Sequence, residues 1–139
     1  MDAYADFIAE ALDGPFRAPA DGGYTAQQIV AHVARNHEEL IAVTEAVLAG
    51  DEVTYDNREP TVRELDRYAS GYGEGVAGLA DRVAMTVTVL RVLAYQLEDR
   101  GTIRVRSMEG DPMPWAKVLE LDETVHVPRR LGQLRALRG

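Results

Sequence analysis

Leu119, Glu123, His126, Val127, Arg130, Leu134 and Leu137 stand 4, 3, 1, 3, 4 and 3 residues apart near the C-terminus of a 139-residue chain. At 3.6 residues per turn, those intervals put all seven side chains on one stripe of an α-helix. The stripe is apolar at both ends and polar in the middle, where Glu123, His126 and Arg130 fall. A second stripe, Ile29, His32, Val33, Asn36, Leu40, Val43 and Val47, follows a helix expected from about Tyr24 to Ala49. Two apolar faces, each interrupted by a histidine, predict a polar pocket between the two helices. Function is to be sought there.

The rest of the chain reads outward from these two elements. Tyr4, Phe7, Ile8, Ala11 and Leu12 follow the i, i+3, i+4, i+7, i+8 pattern of a short amphipathic helix that Gly14-Pro15 ends. Thr25-Ala26-Gln27-Gln28 fits a capping box at the start of the second helix, and Gly50 stops it. Thr61-Val62-Arg63-Glu64 repeats that signature. Val62, Leu65, Ala69, Tyr72, Val76, Leu79 and Val83 then step by 3 and 4, which predicts a third helix. Gly71, Gly73, Gly75 and Gly78 lie inside it, each at a cost of roughly 0.5–1 kcal/mol relative to alanine, and point to close approach by a neighbouring helix or a ligand.

From Met85 the pattern changes. Thr86-Val87-Thr88-Val89 and Thr102-Ile103-Arg104-Val105-Arg106 are β-branched and alternating, with a turn signal at Glu98-Asp99-Arg100-Gly101. They predict a β-hairpin before the last helix, although Leu90 to Leu97 fits a helix equally well. Pro114 suits the first turn of the final helix, which runs to Leu137, and Pro128 should kink it just beyond His126. The expected architecture is mainly α: one domain over residues 1–139, an antiparallel four-helix bundle with a β-hairpin inserted before its last helix.

Charge and composition narrow the functional classes. A net charge of −8 and a pI near 4.8 exclude nucleic acid and acidic membranes as default partners, because phosphate binding draws on a basic surface. There is no cysteine, so any metal must sit on His, Asp or Glu, and any reactive thiol must come from outside. The acidic N-terminus lacks the layout of a signal peptide, and no apolar run has the length of a membrane span. A cytoplasmic protein is expected.

Glu123 and His126 have the i, i+3 spacing by which one helix presents two metal ligands to the core of a bundle. With His32 they make a two-histidine, one-carboxylate set that leaves coordination positions open. A divalent ion there could lower the pKa of a bound water or thiol. Arg130, one turn beyond His126, repels a cation but pairs with Glu123 or with the carboxylate of a small acidic ligand beside Asn36. Three readings follow: a metal site, an anion pocket, or a closed hydrogen-bond network of Glu123, His126 and Arg130 that binds nothing. His37, flanked by Glu38 and Glu39, is expected in solvent at the edge of its helix. Tyr55, Asp56 and Asn57 form a helix-start turn that could rim the pocket, and Trp115 is a packing anchor.

Two stretches carry a family resemblance. Tyr24-Thr25-Ala26-Gln27-Gln28-Ile29-Val30-Ala31-His32-Val33-Ala34 resembles the aromatic-Thr opening and Ala-His-aliphatic signature of the DinB-like (YfiT-like) bundles. Within that superfamily the likeness is to the metal-binding domain of mycothiol-dependent maleylpyruvate isomerases. His126-Val127-Pro128-Arg129-Arg130-Leu131-Gly132-Gln133-Leu134 is similar to the family's closing His-x-x-x-His-x-x-Gln-Leu segment. The resemblance implies a four-helix bundle, a metal triad of three histidines holding zinc or nickel, and a low-molecular-weight thiol used in isomerase or S-transferase chemistry. It also implies a homodimer. His32 matches the first ligand and His126 the second; the third falls on Arg130, where a fixed positive charge replaces the imidazole. Two functions stand side by side: a non-catalytic small-ligand-binding or interaction module with a degenerate site, and a metal- and thiol-dependent transferase or isomerase using His32, Glu123 and His126.

Overall fold

The computed structural model describes residues 2–72 and 75–139. The capping boxes form as their sequences require. Thr25 accepts from the Gln28 amide at 3.1 Å and Gln28 reaches back to the Thr25 amide at 3.0 Å, which starts helix α2, Ala26–Ala49. Gly50, with φ of 79°, closes it by donating to the carbonyls of Ala46 and Val47, a left-handed cap that suits glycine. Helix α1 spans Ala3–Asp13 behind Asp2, whose carboxylate takes the amides of Tyr4 and Ala5. Thr61 and Glu64 cap helix α3, Val62–Ser70.

The single helix expected from Thr61 to Val83 is in fact two. α3 ends at Gly71, and helix α4 begins at Gly75, whose φ of 65° no helix continues through. Gly71 and Gly75 mark a break in the helix rather than the approach of a neighbour, and Gly78 lies within α4. A Cβ on Gly71 would meet only the Tyr68 carbonyl of its own helix, and one on Gly75 would meet no described atom within 4 Å. Gly73 lies outside the described residues.

Helix α4 runs on to Leu97 and takes in Thr86 to Val89, so the expected hairpin between 86–89 and 102–106 does not form. Packing overrides the β-branched propensity: Leu79, Val83, Val87, Leu90 and Leu97 give α4 a buried face against α2, its most extensive partner. The threonine hydroxyls settle on the helix itself, Thr86 on the Val83 carbonyl and Thr88 on that of Ala84. The second half of the pattern is a strand with other partners. After a short 3₁₀ turn, Glu98–Thr102, strand β2 (Arg104–Ser107) pairs in parallel with β1 (Thr54–Tyr55) and antiparallel with β3 (Met113–Pro114).

The last helix is interrupted. Helix α5, Trp115–Leu121, passes into a π turn, Asp122–His126, before helix α6, Val127–Ala136. The Val127 amide donates to the Asp122 carbonyl five residues back, so one extra residue is accommodated just before Pro128. The buried positions therefore run Trp115, Val118, Asp122, then jump five to Val127, Leu131 and Leu134. The stripe expected through Glu123 and His126 loses its phase here: Asp122 is buried, Glu123 half-buried and His126 exposed.

Two apolar clusters form the core. One joins α1, α3, α6 and the first halves of α2 and α4, around Phe7, Ile29, Leu65 and Leu134. The other joins the second half of α2 to the sheet and α5, around Leu40, Val43, Leu90 and Trp115. Each fully buried side chain of this size contributes roughly 1.5–3 kcal/mol. Trp115 is the anchor expected of it, wholly buried, edge-on to Tyr55 and donating its indole N–H to Thr44 Oγ1 at 2.8 Å. No helix among the described residues is long and apolar enough to cross a membrane.

Candidate functional site

Between α2, the 55–60 loop and the α5–α6 helix lies a cleft of about 560 Å³. His32, Asn36, Tyr55, His126 and Arg130 all line it; Glu123 does not. The loop that forms one wall is held by Asn57, whose side chain bonds both the amide and the carbonyl of Glu109. Tyr55, Asp56 and Asn57 thus rim the cleft.

At one end, Arg130 is tied down on several sides. Its Nη2 lies 3.3 Å from His32 Nε2, its Nη1 donates to Gln133 Oε1 at 3.0 Å, and its guanidinium sits over the Tyr24 ring. Glu59 approaches to 3.8 Å and also accepts from the Tyr24 hydroxyl. A guanidinium has no acceptor, so His32 Nε2 must be the acceptor and the ring proton is on Nδ1. The electrostatics agree: burial, and then the Arg130 charge, push the His32 pKa down to about 4, so His32 is neutral at physiological pH. Burial also lowers the Arg130 pKa from its ordinary value.

At the other end, the cleft floor opens onto a polar belt that separates the two apolar clusters. His37, expected in solvent, is completely buried in this belt. Asp122, 2% exposed, stands opposite. Its Oδ2 takes the Tyr4 hydroxyl at 2.7 Å and His37 Nε2 at 2.8 Å; its Oδ1 takes Asn36 Nδ2 at 3.3 Å. His37 Nδ1 faces Thr86 Oγ1 at 3.2 Å, and the Tyr55 hydroxyl donates to Asn36 Oδ1 at 2.9 Å. Burial alone would raise the Asp122 carboxyl, but the hydrogen bonds from His37 and Tyr4 outweigh it and hold the pKa below the usual carboxylate range. Burial, reinforced by the same carboxylate, pushes the hydroxyls of Tyr4 and Tyr55 well above the ordinary tyrosine value.

Of the residues singled out in the sequence, then, the fold brings His32, Asn36, His126 and Arg130 to one cleft and leaves Glu123 on the other side of the helix, near Tyr4. Among the described residues no group of three His, Asp or Glu is arranged to hold a metal ion. The donors present do not fit the three-histidine centre: His32 Nε2 already accepts from a cation, and the third position is Arg130 itself. Asp122, His37 and Tyr4 were missed. A signal for them exists, since Trp115, Val118 and Asp122 continue one stripe at 3 and 4, as do Val30, Ala34, His37 and Leu40 at 4, 3 and 3.

This arrangement of helices has been seen before. Over 99% of its length the chain superposes on the crystal structure of a mycothiol-dependent maleylpyruvate isomerase, with a TM-score of 0.70 and 17% sequence identity. The chain has the fold of that isomerase over the matched length. A histidine-to-alanine mutant of a mycothiol-dependent maleylpyruvate isomerase matches as well, with a TM-score of 0.70 at 16% identity. Against both isomerase structures the chain spans 56% of the neighbour's length, and at this identity the likeness speaks for the fold alone. No protein-family model matches the sequence, and no curated protein sequence matches it.

Proposed function

We propose that this chain is a small-ligand-binding protein built on the maleylpyruvate isomerase fold, with a degenerate, non-catalytic form of the three-histidine site. One observation carries the reading: the 3.3 Å contact of the Arg130 guanidinium with His32 Nε2. The nitrogen that would hold a metal accepts a hydrogen bond from a fixed cation. A divalent ion at that nitrogen would have to displace the guanidinium and then lie beside its charge, which is strongly unfavourable in a half-buried site. A small acidic ligand has the opposite relation to Arg130. Its carboxylate can replace Glu59, an exposed side chain 3.8 Å away, at little cost.

The finer architecture that goes with this reading is the antiparallel four-helix bundle, assembled from α1, α2, α4 and the α5–α6 helix. A cytoplasmic location, expected from the sequence, and a homodimer, implied by the resemblance, accompany it. The alternative is zinc or nickel on His32, Glu123 and His126, activating a low-molecular-weight thiol for transfer or isomerisation. The fold favours that alternative in general terms; the donor set does not, because Glu123 lies outside the cleft and His126 is exposed.

Elemental analysis and zinc and nickel titrations of untagged protein separate the two. The wild type is expected to take up no stoichiometric metal, and Arg130→His to gain a site that a second change, His32→Ala, abolishes. Stoichiometric metal in the wild type, lost in His126→Ala, would overturn the degenerate reading.

A further inference from the structure

The floor of the cleft presents chemistry that Arg130 does not use. Tyr55 donates to Asn36 Oδ1, and Asn36 Nδ2 donates to Asp122 Oδ1. The chain of bonds runs in one direction, which fixes the Asn36 amide with its carbonyl on Tyr55 and its nitrogen on the acid. An amide nitrogen carries two protons and a phenol oxygen has lone pairs to spare. Among the described residues, the second Asn36 N–H has no protein acceptor and the Tyr55 oxygen accepts from no protein donor. The floor therefore offers one donor beside one acceptor.

Directly beneath lies the Asp122 carboxylate, almost wholly buried. A second negative charge brought to Asn36 would meet it through a medium that screens poorly, so the floor selects against anions. His32, which carries Arg130, precedes Asn36 by four residues on α2, a rise of about 6 Å. An acid of about four or five carbons bridges that rise.

Resting on the ligand-binding reading above, we propose that the cleft takes a short-chain monocarboxylic acid ending in a hydroxyl or a carboxamide, with its carboxylate on Arg130 and its neutral end on Asn36 and Tyr55. Asp122 acts through Asn36: it is a positioning residue that sets the amide and excludes a dicarboxylate.

The test is isothermal titration calorimetry of the full chain with four probes: 4-hydroxybutyrate and succinamate, against butyrate and succinate. The first pair is expected to bind about tenfold more tightly than the second. Asn36→Leu should bring that ratio to about one. Tyr55→Phe, which preserves shape and packing, should reduce the ratio in the same direction and covers the case in which Asn36→Leu fails to fold. Equal affinity for all four probes, or succinate binding as well as succinamate, overturns the assignment of the neutral end and leaves Arg130-dependent acid binding intact. Absence of binding by all four at millimolar concentration overturns the ligand-binding reading and this inference together.

Discussion

Asp122→Ala is the most informative single substitution in the molecule. The carboxylate is the shared acceptor of Tyr4 and His37, at 2.7 and 2.8 Å, and all three side chains are buried. Removing it strands two buried donors. Hydrogen bonds to a charged partner are worth roughly 1.5–3 kcal/mol each, so the pair sets a loss of about 3–6 kcal/mol, to which the longer Asn36 bond adds little. A domain of this size has about 5–15 kcal/mol in total, so the variant should lose a large fraction of its stability. Urea unfolding followed by circular dichroism measures the loss. A double-mutant cycle then identifies its source: Tyr4→Phe should cost about 1.5–3 kcal/mol in the wild type and close to nothing once Asp122 is alanine. A loss below about 1 kcal/mol for Asp122→Ala, or additive single effects, would refute the idea that this carboxylate organises the belt.

Two further outcomes follow from the geometry. The unfolded His32 imidazole takes its proton near pH 6.5 and the folded one only near pH 4, so between these values the unfolded state binds more protons and stability falls as the pH is lowered. The contribution is complete above pH 6.5 and amounts to about 2–3 kcal/mol lost by pH 4; His32→Gln should remove that slope from urea midpoints measured across the window, and an unchanged slope would count against burial and Arg130 holding His32 neutral. A Cβ on Gly101 would stand 2.7 Å from the Ala116 Cβ, so Gly101→Ala should cost about 1–3 kcal/mol in a thermal melt. Ala116→Gly in the same chain should recover part of it; no recovery would mean that the cost arises elsewhere.

The sequence foretold helices where a cap and a period agreed. Thr25 with Gln28, and Thr61 with Glu64, mark the starts of α2 and α3 to the residue, and the placement of His32, Asn36 and Arg130 at one cleft follows from stripe arithmetic. It misled where local preference opposed tertiary packing: Thr86 to Val89 carry a strand's composition, but they lie where α4 must cover α2, and the helix prevails. His37 was misplaced because α2 is buried on more than one side, by α4 as well as by α6, so that no single stripe describes its core face. Glu123 and Asp122 exchanged roles because the periodicity assumed 3.6 residues per turn throughout. No composition signal announces a π turn; Pro128 marked the neighbourhood of the irregularity but not its kind.

That turn also changes how the chain must be compared with others. Insertions and deletions are ordinarily assigned to loops, and a helix is treated as a rigid ruler along which positions correspond one to one. Here the extra residue sits inside the helix, between Asp122 and Val127. Against a relative whose last helix is regular, an ungapped pairing that is correct for Trp115 to Leu121 is one position out for Val127 to Ala136, and the reverse holds if the second half is matched. The gap belongs within the helix, between two segments that each keep their own register.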